Sequence, residues 1–140
     1  MSYLLDTCIL SEFIKPEPTA RVVRWLQAQD ESGLYLSVIV LGELARGIAL
    51  LPDGKKRRTF DAWLRTDLRT RFHKRILEIT PAIALEWGAR SGSLRHLGQT
   101  LTMADGLIGA TAVVHSLVVV TRNTKNLLPT GASVFNPWTD

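Results

Sequence analysis

Leu117-Val118-Val119-Val120-Thr121 decides the fold. Three consecutive β-branched residues with no polar alternation read as a strand buried on both faces, and such strands belong to parallel sheets covered by helices on both sides. Helical periodicity flanks this strand upstream, over Thr102 to His115 and over Pro81 to about Leu97, and Val134-Phe135 downstream reads as an edge strand. Nearer the start, Leu4-Leu5 reads as a short buried strand ending at Asp6, with a helix over Thr7 to Ile14 that Pro16 and Pro18 terminate. Thr19 is placed as the N-cap of a helix running to about Gln29, and the Asp30 to Gly33 turn leads to a strand at Leu34 to Ser37. Leu41, Leu44, Ala45, Ile48 and Leu51 make Val38 to Leu51 a helix, stopped by Pro52-Asp53-Gly54. Lys55 to about Phe72 is a basic amphipathic helix with Phe60, Leu64 and Leu68 recurring every four residues, and Ile76, Leu77 and Ile79 make a further strand.

The resulting order, β-α-α-β-α-α-β-α-α-β-β, implies an α/β fold: three layers, α/β/α, around a mainly parallel sheet of four to five strands with right-handed crossovers. The 140 residues, 46% of them apolar and 21% charged, fit one domain over positions 1–140. The lone cysteine, Cys8, excludes an internal disulfide framework, and Asp6 interrupts the apolar start before it makes a secretory segment. With no apolar run of membrane-spanning length, the expected setting is the cytoplasm, away from membranes. The net charge is +4, and nine of the Lys and Arg residues fall between Gly54 and Arg75 against two acids, Asp61 and Asp67. Two readings of that stretch stay open, a solvated helix face and a surface for a polyanion.

Three acids stand in apolar surroundings: Asp6 after Tyr3-Leu4-Leu5, Glu43 inside Val38 to Ala45, and Asp105 inside Met103 to Ala110. Each has an ordinary explanation. Asp6 can cap the helix after it, Thr102-Met103-Ala104-Asp105 has capping-box spacing, and Glu43 can simply face water. In a parallel sheet, however, functional groups gather beyond the carboxyl ends of the strands, where Asp6 lies and where the segments carrying Glu43 and Asp105 can meet it. Gly109 and Ala112 near Asp105, and Gly47 near Glu43, leave room for something to approach. Three converging carboxylates repel by about 4 kcal/mol per pair at 4 Å and an effective dielectric near 20, so a cation must sit among them. All-oxygen ligands suit Mg²⁺ or Mn²⁺, while Cys8, His73, His96 and His115 show no zinc-ligand spacing.

Leu4-Leu5-Asp6-Thr7, Ser37 with Gly42-Glu43-Leu44, Ala104 to Ile108 with Ala110-Thr111-Ala112, Val120-Thr121-Arg122-Asn123 and the ending Phe135-Asn136-Pro137-Trp138 together resemble the PIN-domain nucleases. Within that family the chain is most similar to the VapC and FitB type of toxin from toxin–antitoxin pairs. The resemblance implies a PIN-like fold and a Mg²⁺-dependent endoribonuclease, with Mn²⁺ able to substitute. Its implied associations are an RNA substrate, a cognate antitoxin, a homodimer, and operator DNA reached only through the antitoxin. It places Asp6, Glu43 and Asp105 at the family's three principal acids, as catalytic residues and metal ligands. At the fourth catalytic place, where members often carry Asp, this chain has Asn123, with Asn126 three residues on. An amide brings no charge, which favours one metal over two.

Around these, Arg46 and Arg122 are candidate phosphate contacts or surface ion-pair partners, and Thr7 and Thr121 either orient bound ligands or serve as cap and strand end. Trp25, Trp63, Trp87 and Trp138 are read as packing or interface residues. Two rivals remain at this stage. A phospho-acceptor receiver module wants an adjacent acidic pair and a late Lys, where this chain has Asp6-Thr7 and Arg122-Asn123. The other is a catalytically weak PIN-like module that only binds RNA or its antitoxin, favoured by Asn123 and Asn126.

Overall fold

Val118–Val120 forms β4, an inner strand of a five-stranded sheet centred on β1 (Tyr3–Leu5), in a computed structural model that describes every residue from Met1 to Asp140. Its neighbours are β1 (Tyr3–Leu5) and β5 (Ser133–Phe135); β2 (Leu34–Ser37) lies beyond β1, and β3 (Ile76–Leu77) makes the far edge. All four pairings are parallel, with Leu4 opposite Val119 and Leu5 opposite Val120. Those four side chains are wholly buried, as unalternated strands covered on both faces must be.

The strand order β3-β2-β1-β4-β5 has one consequence for function. The chain winds outward from β1 through β2 to β3, then crosses back to lay β4 on the other side of β1. The crevice beyond the carboxyl ends of β1 and β4 is therefore the topological switch point, the usual position of a ligand site in an open parallel sheet. A receiver module has the order 2-1-3-4-5 instead, so that rival is set aside.

The helices are α1 (Thr7–Glu12), α2 (Ala20–Ala28), α3 (Val38–Ala49), α4 (Lys55–Ala62), a short turn α5 (Arg69–Arg71), α6 (Pro81–His96) and α7 (Met103–His115). Ser37 settles the ambiguous β-branched start of α3, because its hydroxyl accepts from the Ile39 amide at 3.1 Å and turns the chain out of β2. The stretch between β4 and β5, to which the sequence assigned no element, holds a one-turn α8 (Thr124–Leu127) and a 3₁₀ turn at Leu128–Thr130. Gly106 and Gly109 seat neighbouring side chains. A Cβ at Gly109 would lie 2.2 Å from Thr130, and one at Gly106 would lie 2.6 Å from Trp87, so the expected room around Asp105 is filled by the protein itself.

The basic helix is one continuous run with an irregular middle, since Trp63–Leu68 is wound as a π-helix. Phe60, Leu64, Leu68 and Phe72 are spaced by four, and in an α-helix of 3.6 residues per turn each such step overshoots the last by roughly 40°. The wider π turn rotates less per residue and cancels the drift. Leu64, Leu68 and Phe72 are consequently all buried, at 3%, 1% and 0% exposure.

One buried acid lies outside the sheet edge. Glu12 is 1% exposed; it accepts from the Thr19 amide at 2.8 Å and pairs with Lys15, tying the end of α1 to the start of α2 across the proline turn. Burial opposes its charge, but Lys15 and Thr19 outweigh that and hold the carboxyl below its usual range. Glu12→Ala is expected to cost about 2 kcal/mol, as loss of a charge-assisted bond does, read as a lower denaturant midpoint at unchanged slope. A carboxyl depressed in the folded state stabilises above its unfolded value near 4.3 and loses that contribution as pH falls through the folded one. The gap between wild type and variant should close in acid.

Candidate active site

Asp6 sits where β1 ends, its amide bonded to the Val120 carbonyl at 3.0 Å. Only 5% exposed, its carboxylate is held from two sides: Oδ1 accepts from the Thr7 amide at 2.8 Å and Oδ2 from the Thr121 hydroxyl at 2.7 Å. Burial pushes its carboxyl above the usual Asp range; the Thr121 and Thr7 bonds pull it back, and the charge of Asp105 adds to the push. A carboxylate offers about four acceptor positions, and two here are used. Asp6 does cap α1, but on the first helical amide rather than the second or third, so capping leaves most of its capacity free.

Asp105 occupies the first turn of α7, where a helix favours negative charge. The Thr102 hydroxyl accepts from its amide at 3.2 Å, while the Asp105 carboxylate makes no return bond, so only half of the capping box forms. Glu43 is an exposed residue of α3, and its Oε1 accepts from the Thr7 hydroxyl at 2.7 Å. Thr7 thus bridges two acids, giving its amide to Asp6 and its hydroxyl to Glu43. The three acids share a neighbourhood without closing on one point, for no three acid, histidine or cysteine side chains stand close enough together to enclose an ion.

The other sequence candidates fall into different places. Thr121 is wholly buried; besides supporting Asp6, its hydroxyl accepts from the Asn123 amide at 2.9 Å. Asn123 caps α8 by position, with no side-chain cap bond, and Asn126 lines a concavity of about 150 Å³ together with Asp105. Arg46 is exposed one helical turn beyond Glu43, on the same side of α3. The Arg122 guanidinium stacks over the Trp138 ring at 4.2 Å, a cation–π contact that pins the chain's end. Trp25 packs between Tyr3 and Phe135, at 4.9 and 5.3 Å between ring centres.

Two further residues belong to this neighbourhood. Lys125 lines the same small concavity as Asp105 and supplies a cation there. It follows the Thr121-Arg122-Asn123 motif by two positions, and only the short α8, unsuspected in the sequence, turns it toward α7. Cys8 lies within 3.7 Å of the Thr121 hydroxyl and accepts from the Arg122 amide; burial pushes its thiol up, away from the reactive thiolate.

The donor chemistry fits a hard divalent cation. Every candidate donor is a carboxylate or amide oxygen, and the most buried of them, Asp6, carries a charge that desolvation disfavours and half of whose acceptor capacity is unused.

Comparison with known proteins places this geometry. The PIN-domain family model matches residues 3–128. Toxin FitB of Neisseria gonorrhoeae is 41% identical over 138 residues, which cover 98% of this chain and 99% of that protein. VapC ribonuclease Y4jK of Sinorhizobium fredii is 35% identical over 135 residues, 96% of each chain. The crystal structure of FitAcB from Neisseria gonorrhoeae superposes with a TM-score of 0.91 at 38% identity, over 99% of both chains. With sequence and backbone matched from one end of the sheet to the other, the chain belongs to the PIN-domain family.

Proposed function

We propose that this protein is a Mg²⁺-dependent endoribonuclease, with Mn²⁺ as a working substitute, and the toxic member of a toxin–antitoxin pair. The observation that carries the reading is Asp6: a charged side chain kept at the switch point between β1 and β4, fixed by the Thr7 amide and Thr121 hydroxyl, and disfavoured by its burial unless a cation joins it. Kinship with FitB and with a protein named a VapC ribonuclease supports RNA as substrate.

Asp6 and Asp105 would hold the cation, directly or through waters. When bound, it supplies Lewis acidity, lowering the pKa of the attacking water and offsetting charge on the scissile phosphate. Thr121 fixes the Asp6 carboxylate, and Thr7 ties Glu43 to the same corner, where Glu43 ligates the cation or orients the attacking water. Lys125 and Arg46, exposed cations on either side, meet the phosphates flanking the cut. With Asn123 in the fourth place, one cation rather than two is the expected stoichiometry.

A cognate antitoxin is the proposed partner and the route to operator DNA. Likeness to FitAB bound to an IR36 DNA fragment supports this, at a TM-score of 0.90 and 36% identity. A homodimer is proposed on the apolar side chains left at the surface, Leu85, Leu97 and Met103, exposed by 74%, 72% and 60%. No helix is long and apolar enough to cross a membrane, which accords with work in the cytoplasm.

The test is cleavage of single-stranded RNA across a metal titration. Activity should be absent in excess EDTA and return with Mg²⁺ or Mn²⁺; undiminished cleavage in EDTA would remove the metal mechanism, and RNA left intact with every divalent ion would leave a binding module.

A further inference from the structure

We propose that Arg65, Arg69, His73 and Lys74 form an exosite for the phosphodiester backbone of RNA, at the end of a groove that runs along α3. The proposal rests on RNA being the substrate.

The structure divides the nine cations of the basic segment by what holds them. Arg71 gives its Nε to Glu31 Oε1 at 2.8 Å, and Arg75 gives Nη1 to the carbonyls of Glu31 and Leu34, at 2.6 Å each. These two clamp the segment to β2 and are not available to a ligand. Arg65, Arg69, His73 and Lys74, by contrast, line one concavity of about 440 Å³ with Thr70 and a single apolar residue, Ile76. Asp61 pairs with Arg65 at 2.9 Å, while Arg69 and Lys74 meet no carboxylate. The π turn contributes here too, since the winding that keeps Leu64 and Leu68 buried leaves Arg65 and Arg69 beside each other on the open side.

That concavity opens into a second of about 450 Å³, with Arg65, Arg69 and Ile76 in the shared wall, and the second runs along α3 past Ala45 to Gly42. Nothing lies within 4 Å of where a Gly42 side chain would begin, and Gly42 is the residue before Glu43. The groove therefore runs from the face of α3 formed by Val38, Leu41, Gly42 and Ala45 to a cationic end. Glu78 is the one acid on its walls, so attraction for an anion concentrates at the far end. The half of the groove along α3 carries Val38, Leu41, Ala45 and Leu64, but the cationic end offers only Ile76 for the apolar anchors that a docking peptide needs. A strand of RNA needs positive charge along its backbone and hydrogen-bond donors, which three cations, a histidine and a threonine supply.

The test uses the full chain in EDTA with a labelled single-stranded 20-mer RNA, comparing wild type with the double variant Arg69→Ala/Lys74→Ala. Affinity is expected to fall about tenfold, and the slope of log K against log salt to become shallower by about 1.4, since each of the two phosphates no longer neutralised on a single strand contributes about 0.7. Arg69→Lys/Lys74→Arg, which keeps both charges, should restore the affinity. In Mg²⁺, the ratio of kcat/KM for the 20-mer to that for a 4-mer should drop in the alanine variant. Unchanged affinity and salt slope in a variant that melts like wild type overturns the exosite, as does a loss confined to a poly-glutamate peptide. If wild type binds the 20-mer through these residues but cuts no RNA with any metal, the nuclease reading fails and the exosite stands. If wild type binds no RNA, both fall.

Discussion

Asp6→Asn is expected to lower RNA cleavage by about 100-fold or more and, in the same protein freed of divalent cations, to raise the melting temperature at neutral pH. Both effects come from one side chain. Burial raises the Asp6 carboxyl above its ordinary value, so the folded state holds that proton more tightly than the unfolded chain does. Below the unfolded value near 3.9 both states are protonated and the residue costs nothing. As pH rises from there through the folded value, the unfolded chain ionises first and stability drains away; beyond the folded value the loss is constant. An asparagine keeps the shape, accepts from the Thr7 amide, can donate to the Thr121 oxygen, and carries no charge to desolvate. Melting curves in EDTA at pH 4 and pH 7 check it: the variant's advantage should be small at the first and larger at the second. Adding Mg²⁺ should raise the melting temperature of the wild type alone. An Asp6→Asn protein less stable than wild type at both pH values would mean that its hydrogen bonds, not its charge, set its contribution.

Gly109→Ala should be the most damaging small substitution in the chain, costing about 3 kcal/mol, near 10 °C in melting temperature. Alanine normally gains about 1 kcal/mol over glycine inside a helix. Here its methyl would lie 2.2 Å from both Cβ and Oγ1 of Thr130. Thr130 cannot swing away. It is 2% exposed, and its hydroxyl gives to the Leu127 carbonyl while receiving from the Ala132 amide. Helix α7 must part from the 3₁₀ turn, taking Asp105 with it, so RNA cleavage should fall along with stability. Thr130→Gly, which removes both clashing atoms, should recover part of both when combined with Gly109→Ala; thermal melts of the two single variants and the double measure the coupling.

The strands and long helices were legible because each rests on a local pattern strong enough to survive folding: unalternated valines for β4, a 3.6-residue stripe for α3, Pro81 and Thr102 for the starts of α6 and α7. The short α8 was not, since one turn of Thr-Lys-Asn-Leu has no period to read and is held by Leu127 reaching the core. The π turn was visible only as the spacing of four in Phe60, Leu64 and Leu68, whose meaning depends on a core the sequence does not display. Of the site, the three acids announced themselves by their apolar neighbours. Their supports did not. That Thr121 holds Asp6 across 115 positions, or that Lys125 comes round to Asp105, follows from the crossing back of β4 beside β1. Glu12 showed no motif because its partners, Lys15 and Thr19, are short-range polar residues on either side of a proline turn.

The π turn also gives the segment slack in its own length. Were one exposed residue such as Thr66 missing, the apolar spacing would become four, three, four, which an ordinary α-helix satisfies, and the core contacts could be kept. Six residues wound at the slower π rate turn through about the same angle as five at roughly 100° each, so the parts on either side would hold nearly their present phase. Arg71 and Arg75 would still anchor the later part to β2, and Lys55 to Arg58 would keep their bearing. The spare residue is absorbed inside the turn, where it changes only how Arg65 and Arg69 stand to each other.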